Sequence, residues 1–144
     1  MLDSLENQII QTLTNAGINA QGWSGKPDEL FFRPNYTPFV RIIIDSVDFQ
    51  PLSPFSFETK FQFSALLFFK SLREEGQGAY PLITNIINAL VKQTQYNIEP
   101  VKVDLLAHQS GDFVYRLIFK ANGRYVVPYP DDVIVSQINV EAMP

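Results

Sequence analysis

The sequence predicts an α+β domain. A roughly four-stranded, mostly antiparallel sheet carries two amphipathic helices on one face as a two-layer sandwich, and an extended C-terminal arm follows. Three observations predict it. First, the stretch Phe57-Glu-Thr-Lys-Phe-Gln-Phe-Ser-Ala-Leu-Leu-Phe-Phe69 alternates with a period of two. Phe57, Thr59, Phe61, Phe63, Ala65, Leu67 and Phe69 share one face, and Glu58, Lys60, Gln62 and Ser64 share the other. Second, two stretches carry apolar stripes at helical spacing: Leu5, Ile9, Leu13 and Ala16, then Tyr80, Ile83, Ile87, Leu90 and Val91. Third, Val101–Leu106 and Phe113–Lys120 both alternate, and His108-Gln-Ser-Gly-Asp112 between them has the chemistry of a hairpin connection.

Each element follows in order. Helix 1 is expected over residues 3–16, capped by Asp3 or Ser4, with Gly17 where a left-handed C-terminal residue is wanted. Ile18–Trp23 can form a short strand, and Ser24-Gly-Lys-Pro-Asp28 is turn chemistry. Leu30–Pro38 reads as an ordered loop because of its two prolines. Phe39-Val-Arg-Ile-Ile-Ile-Asp45 is a buried strand. Residues 46–56 read as a connecting loop, where Pro51 and Pro54 stop the ladder. The long strand runs from Phe57 to about Ser71 and is expected to be central, since a long Phe-rich edge invites aggregation. Its end from Ala65 to Phe69 is apolar on both faces, which predicts cover on both sides. Helix 2 begins near Ala79, with Pro81 in its first turn, and ends near Gln93–Gln95. The domain is expected to close at residue 123. The arm, residues 124–144, holds Tyr125-Val-Val-Pro-Tyr-Pro130 and an edge-strand candidate, Val133–Val140.

Composition narrows the function. With 46% apolar residues the chain can bury a core. A net charge of −4 argues against general phosphate attraction. The absence of cysteine removes disulfides and thiol nucleophiles. The opening Met1-Leu-Asp-Ser-Leu-Glu lacks a secretory n-region and h-region, and no apolar run is long enough to span a bilayer. His108, the only histidine, reads as a solvated turn residue. Glu74-Glu75 and Asp131-Asp132 read as a solvated strand end and a turn. Gly76-Gln-Gly78 lacks the lysine and spacing of a phosphate loop and reads as a strand-to-helix turn. Phe61 and Phe63 have the spacing of base-stacking aromatics, yet burial under the helices is their simpler use. No catalytic, cofactor-binding or metal-binding residue is indicated. The candidates that remain are apolar groups on segments that need not be apolar: Phe49, Leu52 and Phe55, with Tyr125 and Tyr129 on the arm.

The middle of the chain carries a resemblance. Phe61-Gln-Phe-Ser-Ala-Leu-Leu-Phe-Phe-Lys-Ser-Leu72 followed by Gly78-Ala-Tyr-Pro-Leu-Ile-Thr-Asn-Ile-Ile-Asn-Ala-Leu90 is similar to a family of small tail-region proteins from Mu-like prophages. Leu5–Leu13 and Tyr115-Arg-Leu-Ile-Phe119 resemble its opening and its last regular strand, so the resemblance covers residues 3–120. The shared feature is a hydrophobic pattern with a Gly-x-Gly-Ala-Tyr junction, and no site residue can be carried over. The two-helix, one-sheet pattern also looks like phage tail terminator proteins. The resemblance implies a non-enzymatic tail terminator or completion protein: a hexameric ring that caps the tail tube and presents a surface to head-connector proteins. It implies residence in the host cytoplasm during assembly and then in the virion or a tail-like particle. No cofactor, membrane or nucleic-acid partner is expected. The alternatives are a small hydrolase or nucleotide-handling enzyme, and a single-strand nucleic-acid binder with steep salt dependence. The 46–56 and 125–144 segments depart from the family pattern and are expected to carry partner specificity.

Overall fold

A computed structural model of the chain describes residues 1–32, 34, 36–75, 77–107 and 113–128. Its elements are α1 (Leu2–Asn15), β1 (Ala20–Gly22), a short 3-10 turn (Pro27–Glu29), β2 (Phe39–Ser53), β3 (Ser56–Phe68), α2 (Ala79–Lys92), β4 (Glu99–Ala107) and β5 (Phe113–Val126). Among the described residues the sheet has five strands in the order β1-β2-β3-β5-β4, so the roughly four strands expected become five. The added strand is β1, three residues parallel to Val40–Ile42. The other pairs are antiparallel, and β3 is central as its alternation predicts.

α1 buries Leu5, Ile9 and Leu13, the stripe seen in the sequence. Its N-cap is Met1 and no side chain caps it, which corrects the Asp3 or Ser4 expectation. The helix starts one residue earlier, so Asp3 lies in the first turn, where a carboxylate suits the positive helix end. The Met1 ammonium donates to Asp3 Oδ1 at 3.0 Å and holds the carboxyl below its usual range. At the other end Gly17 takes φ +81°, and the Ile18 amide reaches back to the Leu13 carbonyl at 3.0 Å. α2 buries Ala79, Leu82, Ile86 and Leu90, which corrects the expected stripe: of that stripe only Leu90 is buried, and Tyr80 and Val91 are exposed. It enters through Gly78, whose place admits no side chain: a Cβ there would lie 2.6 Å from the Leu72 carbonyl oxygen.

The main core lies between the helices and one sheet face. Leu5, Ile9, Ile86 and Leu90 meet Ile42, Phe63, Leu67 and Phe119 there. Phe63 and Phe119 stack at 5.1 Å between centroids. A smaller cluster on the opposite face joins Phe39, Leu66, Phe68 and Val114 to Leu30 and Phe31 of the β1–β2 connection. This explains why both faces of β3 turn apolar after Ala65: each face is covered at that end. Arg41 fastens the covering segment. Its Nη1 donates to the carbonyls of Glu29, Leu30 and Phe32 at 2.9, 2.8 and 3.0 Å. Its guanidinium also sits over the rings of Phe39 and Phe68, at 5.5 and 4.9 Å from their centroids. Burial lowers the Arg41 pKa, and Glu29 opposes that shift.

Three sequence expectations about strand length are corrected. Residues 46–53 are not a loop; β2 continues through them, and only Pro54 and Phe55 lie between β2 and β3. Pro51 is tolerated because of a bulge at Asp45, where the register shifts between Ile44 and Ser46. Before the bulge the even residues face β1, as in the Val40 amide donating to the Asn19 carbonyl. The extra residue reverses that parity, so the Pro51 nitrogen points away from β3 at the outer edge, where no amide is required. β5 likewise runs through Asn122-Gly123 to Val126. The last strand therefore runs past residue 123, where the domain was expected to close. Gly123 marks a close approach: a Cβ there would lie 3.0 Å from Thr59 Oγ1 and 3.1 Å from the Phe61 ring. The long strand also ends at Phe68, short of Ser71. His108, Tyr129, Asp131-Asp132 and Val133–Val140 lie outside the described residues.

Candidate functional site

A helix of 14 residues is about 21 Å long. A strand of 13 residues such as β3 is about 43 Å long. The sheet must overhang the helices, and it does so in one direction. β1 pairs only with Val40–Ile42, and β4 pairs with β5 no further than Lys120. From Ser46 to the Pro54–Phe55 turn, the described sheet is therefore three strands wide: β2, β3 and the end of β5. The hydrophobic core stops at Phe61 and Ala121. Beyond them only the start of α1 reaches over the sheet, Met1 and Ser4 lining a hollow with Thr59, Gly123 and Tyr125, and a three-stranded wing continues past it.

The wing gathers the sequence candidates. Phe49 and Leu52, on β2, are 47% and 49% exposed, and Phe55 at the turn is 37% exposed. Tyr125 lies on β5 opposite Phe57 and is half-buried. The register places Phe49, Phe57 and Tyr125 on the face that carries the helices further along the sheet. Phe49 meets Phe57 edge to face at 6.1 Å. The Val127 amide donates to the Phe55 carbonyl at 2.8 Å and so ties the end of β5 to the turn. Four of the five candidates thus come together at one end of the sheet; Tyr129 lies outside the described residues. Sequence reasoning missed Phe57 as a member of this surface; Val126, exposed opposite Ser56, lies on the other face. Phe57 belongs to a run that reads as strand, and only the overhang tells an exposed strand position from a core one.

The opposite face of the wing is polar and charge-matched. Asp48 stands opposite Lys60, and Glu58 opposite Arg124. Such cross-strand pairs contribute about 0.2–1 kcal/mol each and help a ribbon without a core to hold its register. One face of the wing is therefore apolar and aromatic, and the other is solvated.

The alternatives fare differently. Phe61 and Phe63 are buried in the core and present no stacking platform. A hydrogen-bonded polar constellation on the sheet joins Asp45, Ser64 and Arg116. Ser64 Oγ donates to Asp45 Oδ2 at 2.6 Å and accepts from Arg116 Nε at 3.0 Å, while Arg116 and Asp45 pair at 3.5 Å. It floors a pocket of about 220 Å³ walled by Leu30, Phe31, Ile43 and Leu106. Ser64 is buried, with its proton and a lone pair both engaged, so the trio neutralises the bulged Asp45 and offers no free nucleophile. Among the described residues no group of three His, Cys, Asp or Glu side chains could hold a metal ion. Among them, too, no helix is long and apolar enough to cross a membrane. A comparison with protein-family models finds no match to this chain, and a comparison with curated proteins finds none either.

Proposed function

We propose that this chain is a non-enzymatic structural subunit of a phage or phage-derived tail, a terminator or completion protein whose copies form a ring on the end of the tail tube. The wing is the observation that carries the reading. A subunit that joins a tube end needs an apolar surface projecting from a rigid body, and Phe49 packed on Phe57, with exposed Leu52 and Phe55 at the tip of the same hairpin, supplies one. The pattern resemblance over residues 3–120 supplies the class of assembly. In this reading identical subunits close a six-membered ring by heterologous contacts, and the ring stops tube growth and receives the head connector. The arm beyond residue 126 adds contacts between neighbours. The protein works in the host cytoplasm during assembly and ends in the virion or a tail-like particle.

The test is direct. Purified protein is mixed with isolated tail tubes, and tube ends are imaged by negative-stain electron microscopy. The expected result is a six-fold cap on one end of each tube and an arrest of further tube polymerisation. Bare ends and unchanged polymerisation at saturating protein would overturn the reading.

A further inference from the structure

We infer that the outer edge of β4 is a docking surface for a second copy of this chain, the two β4 strands pairing antiparallel about a two-fold axis at Val103. β5 turns its even-numbered backbone groups away from β3, as the Asn122 amide shows by donating to the Tyr96 carbonyl at 2.6 Å. β4 pairs with that side through Lys102 opposite Ile118, Asp104 opposite Arg116 and Leu106 opposite Val114. The amide and carbonyl of Val103 and of Leu105 therefore point outward, as a ready template for another strand. Among the described residues no strand pairs with them; their side chains are exposed on the sheet face that carries the helices, and Val101, at the register shift between Pro100 and Lys102, is exposed too. The flank of α2 nearest them continues the apolar strip with exposed Tyr80 and Val91; Tyr80 meets Tyr115, the partner of Leu105, at 6.3 Å.

Charge fixes the occupant and the register. Within one chain Lys102 Nζ lies 3.3 Å from Asp104 Oδ1, and a two-fold axis on Val103 sets Lys102 of each copy opposite Asp104 of the other, joining the two pairs into a four-charge cluster. Val103 then meets Val103, so the centre of the apolar strip is also self-complementary. A shift of the axis to Leu105 sets Asp104 opposite Leu106 and loses both charge pairs. Both outer edges carry a register shift: on β4 it lies near the strand's start, between Pro100 and Lys102, and leaves Lys102–Ala107 regular, whereas on β2 the Asp45 bulge and the outward Pro51 interrupt the middle of the strand. This contact closes after two copies and leaves the wing of each one free, so it stands apart from the ring reading.

The chain has no cysteine, so single cysteines report the contact cleanly. Residues facing each other across a hydrogen-bonded antiparallel pair have Cα atoms about 5.5 Å apart, within reach of a disulfide. Two copies of residue 105 would lie about 13 Å apart in this register and cannot be bridged. Under mild oxidation Val103→Cys is expected to give a covalent dimer on a non-reducing gel, and Leu105→Cys a monomer. Lys102→Glu, at an exposed position, should keep the circular dichroism melt but weaken the dimer at least tenfold in sedimentation equilibrium. Equal cross-linking of both cysteine variants would overturn the register. A wild-type chain that stays monomeric through the high-micromolar range would overturn the contact itself. Failure of the ring reading shows elsewhere, as tube ends left bare by a chain whose β4 pairing is intact.

Discussion

Replacing Phe49 and Leu52 together by serine separates the wing's role in assembly from its role in folding. Full burial of a Phe or Leu side chain contributes about 1.5–3 kcal/mol. Both residues are about half exposed, at 47% and 49%, so each contributes roughly 1 kcal/mol to the fold. The edge-to-face contact of Phe49 with Phe57 adds about 0.5–1 kcal/mol. The double variant should therefore lose about 2–3 kcal/mol. Fraying confined to the wing would keep the observed loss nearer 2 kcal/mol, because the core ends at Phe61. For a domain of this size that lowers Tm by about 5–10 °C. The transition should remain cooperative by circular dichroism. Tube-end capping, read by electron microscopy and by arrest of polymerisation, should be lost at concentrations where the variant is fully folded. A drop in Tm beyond about 20 °C, well outside the range of exposed substitutions, would place the two side chains in the core. Undiminished capping would remove the wing from the interface.

Two further predictions concern the body. Arg41→Ala removes one donor from three backbone carbonyls and two aromatic faces, and should cost about 3 kcal/mol by urea denaturation, with new protease cleavage in residues 27–32; Arg41→Lys should recover only part of this, since an ammonium does not reproduce the planar fork. Thr59 is buried against Gly123 and its hydroxyl has no hydrogen-bond partner, so Thr59→Val should raise stability by about 1 kcal/mol, read as a higher Tm; an unchanged or lower Tm would show that the hydroxyl is satisfied.

Most of the fold was legible because periodicity reports burial. The alternation from Phe57 marks β3 as half-buried, and its lapse after Ala65 marks the end that lies between the helices and the Leu30–Phe31 cover. What was illegible depends on direction. Proline ends a ladder only when its nitrogen faces a partner. The facing of Pro51 is set six residues earlier by the bulge at Asp45, and no local rule reads the bulge from Ile44-Asp-Ser46. Asn122-Gly123 has the composition of a turn, yet the glycine is there because Thr59 and Phe61 crowd its Cα across the sheet. Both misreadings shortened strands, and together they hid the wing. Phe49, Leu52 and Phe55 were found because they are apolar within what reads as a connection. Phe57 is passed over because it is apolar within what reads as strand. Length was the signal that could have found it. Two helical stripes of about 21 Å cannot cover a strand approaching 43 Å, so an overhang of about 20 Å follows before its place is known. Apolar residues on such an overhang carry little of the core's stability, and contact with a partner is then the burial left to them.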